Sequence, residues 1–250
     1  MTYAICTSFS KEGYEEYGKD FLISFERHWP KEVPLFVYTE DEVPRHGVAC
    51  WQNLETDQDL TAFLKTCPED SKDYRWMVRK FAHKVFALTD PDRPDVDWWI
   101  WLDADVVTTK PITDEFLAEA CPMGFLASYL GRKDWHTSEC GWVAYSKLWR
   151  AGDFLKRFRE VYTSGEIFDH LEWHDSYIFD RVREEFEGPG LLFKNLSEGV
   201  PGMHVWDGSI LGTCMEHKKG PLRKKGVRPE GISEDYWSEH EQIHAANPDH

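Results

Sequence analysis

The sequence predicts an α/β protein in which helices flank a central, mostly parallel sheet. Short runs rich in aromatic and β-branched residues, typical of buried strands, alternate along the 250 residues with amphipathic segments typical of helices. The most apolar short run, residues 98–102, stops abruptly at Asp103 and Asp105. A helix is the competing interpretation of so short a run, but its tryptophans and its isoleucine favour a buried strand.

The first half of the chain begins with an apolar run at residues 3–7, which predicts a strand that opens into a polar loop. Residues 14–29 have apolar side chains at helical spacing, and Pro30 marks the end of that helix. The other elements predicted before residue 98 are strands at 35–39 and 48–51 and helices at 57–65, capped by Asp57, and at 74–88.

In the second half, Thr113 is predicted to cap a helix that runs to Ala120. The remaining predicted elements are strands at 124–129, 141–145 and 191–194 and helices at 154–162 and 175–186. Because strands that alternate with helices usually form βαβ units, the sheet is expected to be mostly parallel.

Composition favours one domain with one sizeable core, since 41% of the residues are hydrophobic and 15% aromatic. We expect this domain at residues 1–229, followed by a loosely attached acidic segment at 230–250. A formal net charge of −16 argues against a surface that binds nucleic acid as a whole. Six scattered cysteines without a Cys-x-x-Cys pair predict reduced thiols. No signal peptide or membrane-length apolar run is visible, so a cytoplasmic protein is expected.

Asp103 and Asp105 support the first functional prediction. Residues i and i+2 of a strand point to the same side, so both carboxylates should project together where the strand ends. Ligands of open α/β sheets bind in the crevice at the carboxyl ends of the strands. Two close carboxylates repel each other unless a proton or a cation lies between them, which predicts a divalent cation holding a phosphorylated substrate. A strand that merely leads into a polar turn is the competing interpretation.

A basic segment late in the chain supports the second functional prediction. Six of the twelve residues from 217 to 228 are lysine or arginine, in an otherwise acidic chain. Such a cluster suits a pyrophosphate group beside metal-binding carboxylates. His217 can add a neutral imidazole ligand, which Mn²⁺ accepts more readily than Mg²⁺, and Gly220 would let the backbone approach phosphate oxygens. A solvated basic loop is the competing interpretation.

Together, the two stretches resemble the GT-A glycosyltransferases, and by motif the retaining glycogenin- and galactosyltransferase-like enzymes. The shared pattern is a strand that ends in Asp-x-Asp and, later, His-x-x-Gly-x-x-Lys/Arg. The resemblance implies one GT-A (Rossmann-like) domain. The ligands that it implies for Mn²⁺ or Mg²⁺ are Asp103, Asp105 and His217. It also implies that Gly220 and Arg223 hold the diphosphate of a UDP-sugar. The Pro-Trp usual after the basic residue is replaced by Lys224-Lys225, so Arg223 and Lys224 are alternative phosphate ligands.

The same resemblance implies roles for residues elsewhere in the chain. Thr7 and Ser8, after the first strand, would hold the nucleoside of the donor. Asp103 and Lys84 would contact the donor, and Glu139 would border the donor sugar. Asp175 would lie close to the anomeric centre, although it could instead only cap its helix.

The activity implied is transfer of a sugar from a nucleoside-diphosphate sugar to an acceptor hydroxyl, with retention. Asp175, and after it Glu139, is the candidate carboxylate for the developing oxocarbenium ion. A nucleotidyltransferase is the closest rival, but residues 7–13 are a poor version of its glycine-rich basic loop. A non-catalytic nucleotide-sugar-binding module is the other alternative. The acceptor stays open between a glycan, a small molecule and modified DNA. The surplus of basic residues would suit a polyanionic acceptor such as modified DNA or a lipid phosphate, and a flexible lid that closes on the donor is the competing interpretation.

Overall fold

The computed structural model describes residues 1–45, 47–133, 136–147, 151–188, 192–202 and 204–218. Residues Met1 to His217 form one compact unit. The second unit, Lys218–His250, lies outside the described residues apart from Lys218. The predicted boundary at residues 229 and 230 and the acidic segment after it therefore also lie outside them. Within the described ranges, no helix has the length and apolar character that crossing a membrane requires.

The strands form a sheet of seven and a separate sheet of two. In chain order they are β1 (Tyr3–Phe9), β2 (Leu35–Thr39), β3 (Ala49–Asn53), β4 (Trp98–Leu102), β5 (Val106–Thr108), β6 (Ala127–Leu130), β7 (Glu139–Ser146), β8 (Phe193–Asn195) and β9 (Met215–His217). The large sheet has the order β3-β2-β1-β4-β7-β6-β8, and β5 pairs with β9. Strand β7 runs antiparallel to both of its neighbours, and the other pairs of the large sheet are parallel. The prediction of a mostly parallel sheet is confirmed.

The helices cover both faces of the large sheet. In chain order they are α1 (Lys11–Gly13), α2 (Lys19–His28), α3 (Gln58–Thr66), α4 (Val78–Leu88), α5 (Asp114–Ala120), α6 (Ala151–Thr163) and α7 (Asp175–Phe186). The bounds of α7 agree with the prediction. The predicted helix at 14–29 begins earlier, because the Ser10 hydroxyl accepts a hydrogen bond from the Gly13 amide at 3.1 Å and caps α1. A π-helical turn, Tyr14–Gly18, joins α1 to α2.

Strand β4 is buried at every position, which confirms the prediction for residues 98–102. Trp98, Ile100 and Leu102 pack into the core under α2 and α5. Trp99 and Trp101 pack into the core under α3, α4, α6 and α7. Each large apolar side chain buried in this way contributes about 1.5–3 kcal/mol. Because both faces are covered, the strand is a continuous apolar run without polar alternation.

The reversed direction of β7 decides what lies at the functional edge of the sheet. Its register with β4 pairs Leu102 with Trp142, so the first residues of β7 lie beside the carboxyl end of β4. Asp180 of α7 anchors this start, since its two oxygens accept from the Ser138 amide at 2.7 Å and the Ser138 hydroxyl at 2.6 Å. Glu139 is thereby brought to the same edge as the carboxylates that follow β4.

Candidate active site

Asp103 and Asp105 lie in a tight turn directly after β4. The Asp103 carbonyl accepts a hydrogen bond from the Val106 amide at 3.0 Å, and the Asp103 amide donates to the Gly141 carbonyl at 2.9 Å. The expectation that strand alternation aligns the two carboxylates is therefore wrong, because this turn, and not an extended strand, carries Asp105. The chain then enters β5, whose partner strand supplies the next functional side chain.

His217 reaches the two aspartates through the pairing of β5 with β9. Val106 lies opposite His217 in this ladder. The Nε2 atom of His217 is 3.0 Å from Asp105 Oδ1 and 3.6 Å from Asp103 Oδ2. The structure thus brings together the three side chains that the sequence predicted to share a cation, although 112 positions separate Asp105 from His217.

The imidazole of His217 fits closely against a glycine and a tryptophan. A Cβ atom at Gly141 would lie 2.4 Å from His217 Cε1 and 2.8 Å from Nδ1, so only glycine leaves room for the ring. Trp206 also packs against the imidazole, with its ring centroid 4.8 Å from that of the imidazole. Within the described residues, Nδ1 of His217 is buried without a hydrogen-bond partner. A buried polar atom without a partner is rare in a folded protein, and a bound ion is one of the explanations for it.

Replacing Gly141 with Ala is expected to weaken Mn²⁺ binding at least about tenfold and to destabilise the fold by about 1–3 kcal/mol, because the added methyl group overlaps the imidazole. Calorimetric Mn²⁺ titration and urea unfolding measure the two effects. The matched control is Gly152→Ala in α6, where a Cβ meets nothing within 4 Å and should leave Mn²⁺ affinity unchanged. Unaltered affinity in Gly141→Ala would contradict the role of the imidazole.

Glu139 lies on the other edge of the imidazole. Its Oε1 atom is 3.6 Å from His217 Nδ1 and accepts from the Gly141 amide at 3.2 Å. Its Oε2 atom forms an ion pair with Arg132. Ligand atoms of Asp103, Glu139 and His217 all lie within 4.8 Å of one another. Sequence reasoning assigned Glu139 to the donor sugar and missed Arg132, which has no motif around it.

Lys84 links the acidic turn to a second carboxylate. Its Nζ atom lies 2.8 Å from Asp103 Oδ1, 2.7 Å from Asp175 Oδ2 and 2.7 Å from the Cys140 carbonyl oxygen. Burial disfavours the charged ammonium, but Asp103 and Asp175 outweigh this effect and raise the pKa of Lys84 above its ordinary value. The ammonium also lies 5.0 Å from the centre of the Trp101 ring. Lys84 is therefore a fixed positive charge.

Asp175 is the first residue of α7, and it does not cap the helix. The cap is His174, whose Nδ1 accepts from the Tyr177 amide at 3.3 Å while Nε2 lies 2.7 Å from Glu172 Oε2. Asp175 is only 4% exposed and uses its carboxylate for the ion pair with Lys84. The alternative of a purely capping aspartate is therefore wrong, and a functional role for this carboxylate stays a prediction.

The donor set fits a divalent cation. Hard carboxylate oxygens with one imidazole nitrogen suit Mn²⁺, and also Mg²⁺, better than a soft metal. Lys84 pairs with Asp103 and Asp175, Arg132 pairs with Glu139, and Asp105 contacts the imidazole of His217. With His217 neutral, the four carboxylates and two cations among these side chains carry a formal charge of −2. One divalent cation would neutralise this charge.

The residues expected to hold the nucleoside are located differently from the prediction. Strand β1 extends to Phe9, so Thr7 and Ser8 belong to the strand and not to the loop after it. Thr7 is fully buried, and its hydroxyl has no hydrogen-bond partner in the described part of the chain. The placement of Thr7 and Ser8 after the first strand is wrong, because the strand continues to Phe9. Ser8 is half-buried.

A cavity of about 460 Å³ lies just after β2 and β3, where Glu40 and Leu54 line it together with His83 of α4. Burial raises the pKa of Glu40 to about 7, and burial lowers that of His83, whose Nδ1 lies 3.6 Å from a Glu40 oxygen. Burial, with the charges of Asp105 and Glu40, raises the pKa of Tyr17 above its ordinary value.

The predicted diphosphate ligands, Gly220, Arg223 and Lys224, lie outside the described residues. The structure describes the three predicted metal ligands, and it also describes Lys84, Glu139 and Asp175. All six side chains take part in the ion pairs and close contacts reported above.

The mostly parallel seven-stranded sheet flanked by helices matches solved glycosyltransferases of the GT-A fold, and the chain has this fold. An active-site mutant of LgtC superposes with a TM-score of 0.54 at 14% identity, over 98% of this chain and 95% of that chain. Mouse xyloside xylosyltransferase 1 gives a TM-score of 0.51 at 11% identity, over 92% and 95% of the two chains. No protein-family model and no curated protein matches the sequence.

Proposed function

We propose that the protein is a metal-dependent glycosyltransferase that moves a sugar from a nucleoside-diphosphate sugar, in the first instance a UDP-sugar, to an acceptor hydroxyl with retention. The observation that carries the proposal is the bridge formed by Lys84. Its ammonium lies 2.8 Å from Asp103, one of the side chains predicted to bind the cation, and 2.7 Å from Asp175. A leaving diphosphate needs a positive charge beside it, and the sugar carbon that it leaves needs a negative one. The pairing of Lys84 with Asp103 and Asp175 places such opposite charges side by side.

Asp103, Asp105 and His217 would hold the ion, Mn²⁺ or Mg²⁺. The chemistry that a bound divalent ion supplies is neutralisation of the negative charge on the diphosphate as the glycosidic bond breaks, which makes a general acid unnecessary. The net negative charge of the described cluster supports this assignment. Glu139 adds no proton to the leaving group in this proposal, because Arg132 and the Gly141 amide hold its carboxylate.

Lys84 would contribute a preorganised positive charge to the leaving group. Two carboxylates and one carbonyl oxygen already fix the ammonium, so no reorganisation is needed at the moment of reaction. Its raised pKa keeps it protonated at neutral pH. Electrostatic groups fixed in this way typically account for factors of about 10²–10³ in rate.

Asp175 would face the anomeric carbon with the part of its carboxylate that Lys84 does not engage. A carboxylate there stabilises the positive charge of an oxocarbenium-like transition state, either by electrostatic contact or by forming a bond to the carbon. Both routes place the acceptor on the face that the leaving group vacates, and both therefore agree with retention. The hydrogen bonds of His174 hold the start of α7 in place.

The nucleoside would occupy the cavity beside β2 and β3. Its volume of about 460 Å³ suits a base and part of a ribose. Leu54 offers an apolar surface, whereas Glu40 and His83 offer polar atoms for the edge of a base. Ser8 remains a candidate contact, and Arg223 or Lys224 is proposed from the sequence alone for the diphosphate.

A nucleotidyltransferase fits the described structure less well. Such an enzyme needs a glycine-rich basic loop after the first strand to hold its phosphates. Here β1 ends at Phe9 and α1 begins at Lys11, so Ser10 alone connects them and its side chain is used as the helix cap. A binding module without catalysis would not need the ion pair between Lys84 and Asp175.

The test is to incubate the full chain with a panel of nucleoside-diphosphate sugars and Mn²⁺ and to measure release of the nucleoside diphosphate by chromatography. Slow hydrolysis of a UDP-sugar, lost in Asp105→Ala and kept in the exposed α5 variant Glu119→Ala, is the expected result. Release of pyrophosphate from a nucleoside triphosphate would favour the rival enzyme instead. Binding of the donor without turnover would instead support a non-catalytic nucleotide-sugar-binding module.

A further inference from the structure

We propose that Glu139 is a positioning residue that fixes the tautomer and orientation of His217 for cation binding. The inference rests on the proposed function, and it gives a fourth carboxylate of the site a defined task. Three features of the structure lead to it: the two edges of the imidazole, the contacts of Glu139 and the space left by Gly141.

The two nitrogens of His217 face different carboxylates. Nε2 lies 3.0 Å from Asp105 and 3.6 Å from Asp103, whereas Nδ1 lies 3.6 Å from Glu139 Oε1. A neutral imidazole carries one proton, and a nitrogen that binds a cation must offer its lone pair. Ligation through Nε2, next to the two aspartates, therefore requires the proton on Nδ1. Glu139 is the carboxylate that faces this proton.

The unpaired state of Nδ1 agrees with a site prepared for a cation. A separation of 3.6 Å is beyond a hydrogen bond, and within the described residues Nδ1 is buried with no partner. A ring movement of about 0.5 Å towards Glu139 would form the bond. That movement draws Nε2 away from its contact with Asp105, which opens space between His217 and the aspartates. Cation binding and the hydrogen bond to Glu139 would thus support each other.

Contacts to both of its oxygens hold Glu139 beside the imidazole of His217. Arg132 pairs with Oε2, and the Gly141 amide donates to Oε1 at 3.2 Å. The side chain is buried, so water does not compete for it. Gly141 has no side chain that would separate the carboxylate from the ring. A carboxylate that accepts from the far nitrogen of a metal-binding histidine raises the basicity of that ligand and fixes its orientation.

Direct ligation by Glu139 is the rival arrangement, since its oxygen lies within 4.8 Å of ligand atoms on Asp103 and His217. Its position on the Nδ1 edge argues against this, because a cation bound at Nε2 lies on the opposite side of the ring. The ion pair with Arg132 also reduces its attraction for a cation.

The test is Mn²⁺ binding to the full chain, measured by the electron paramagnetic resonance signal of the free ion. The variants are Glu139→Gln, Glu139→Ala and the reference His217→Ala. The control is Asp57→Asn, which alters an aspartate paired with Arg159 at 2.7 Å outside the site and keeps a helix-capping side chain. We expect the Mn²⁺ affinity to fall about 10- to 100-fold in Glu139→Ala. The decrease should be smaller in Glu139→Gln, because the amide oxygen can still accept a hydrogen bond from Nδ1. The affinity of Asp57→Asn should equal that of the parent.

Spin-echo spectroscopy then distinguishes a positioning residue from a ligand. The echo modulation from a bound imidazole nitrogen should be present in the parent, weakened in Glu139→Ala and absent in His217→Ala. The number of water molecules on the ion should be the same in the parent and in Glu139→Gln. One additional water in Glu139→Gln would show direct ligation and overturn the inference, as would parent-like affinity in both Glu139 variants. Parent-like Mn²⁺ binding in His217→Ala would contradict, in addition, the metal site on which the proposed function depends.

Discussion

Replacing Asp103 with Ala is expected to abolish metal-dependent turnover, with kcat at least about a thousandfold below that of the parent. The carboxylate contacts Lys84 at 2.8 Å, the Trp101 indole nitrogen at 2.5 Å and His217 at 3.6 Å, so its loss removes a cation ligand and releases Lys84 at once. The turn itself should persist, because its bonds to Gly141 and Val106 are made by the main chain. The measurement is release of nucleoside diphosphate over a range of Mn²⁺ concentrations.

Asp92→Ala is the matched control, since Asp92 is an exposed aspartate in the loop before β4. Its turnover should equal that of the parent at every Mn²⁺ concentration. Chelation of the ion should reduce the parent to the level of Asp103→Ala. An Asp103→Ala protein that retained turnover within tenfold of the parent at the same Mn²⁺ concentration would show that the acidic turn does not hold the ion.

Replacing Lys84 with Met is expected to cost about 3 kcal/mol of unfolding free energy and to lower kcat about 10²- to 10³-fold. Methionine is similar in size but leaves Asp103 and Asp175 without their shared cation, and it leaves the Cys140 carbonyl without its donor. Removing one partner of a buried ion pair is far more costly than the net value of the pair, because the remaining charge stays desolvated. Urea unfolding followed by circular dichroism measures the first effect, and the donor assay measures the second.

Lys156→Met provides the comparison, because its ion pair with Glu160 is 3.7 Å long and lies on the surface of α6. Such pairs contribute little, so its stability should change by less than about 0.5 kcal/mol. Adding Asp175→Asn to Lys84→Met should recover part of the lost stability by removing an unpaired charge, while turnover stays low. An unfolding free energy of Lys84→Met within about 1 kcal/mol of the parent's would show no effect beyond the error of urea unfolding. The bridge would then not be the buried, dehydrated contact that the structure describes.

The sequence patterns predicted much of the fold because they report on short-range requirements. The apolar run at 98–102 is a strand buried on both faces, and the helix at 175–186 has the predicted bounds. Element ends were less accurate where a single side chain decided them. Ser10 starts a helix earlier than the apolar spacing indicated, and β1 continues two residues beyond its predicted end at Thr7.

Asp103, Asp105 and His217 could be named from residue type and spacing, because few side chains suit a hard cation and the family resemblance supplied the pattern. Their contact could not be derived in the same way. It depends on the pairing of β5 with β9, two strands of three residues each, which are too short to leave a periodic signal. The tight turn after β4, which positions Asp105, is likewise a matter of main-chain hydrogen bonds.

The partners of Lys84 and Glu139 follow from the order and direction of strands. Because β7 runs antiparallel to β4, its first residue comes to the edge where β4 ends, and Glu139 meets His217 there. Composition and periodicity are local properties of the chain, and they suffice for strands, helices and the types of ligand. The charge pairs of the site join residues from distant segments, so they exist only once the sheet has assembled and water has been excluded from between them.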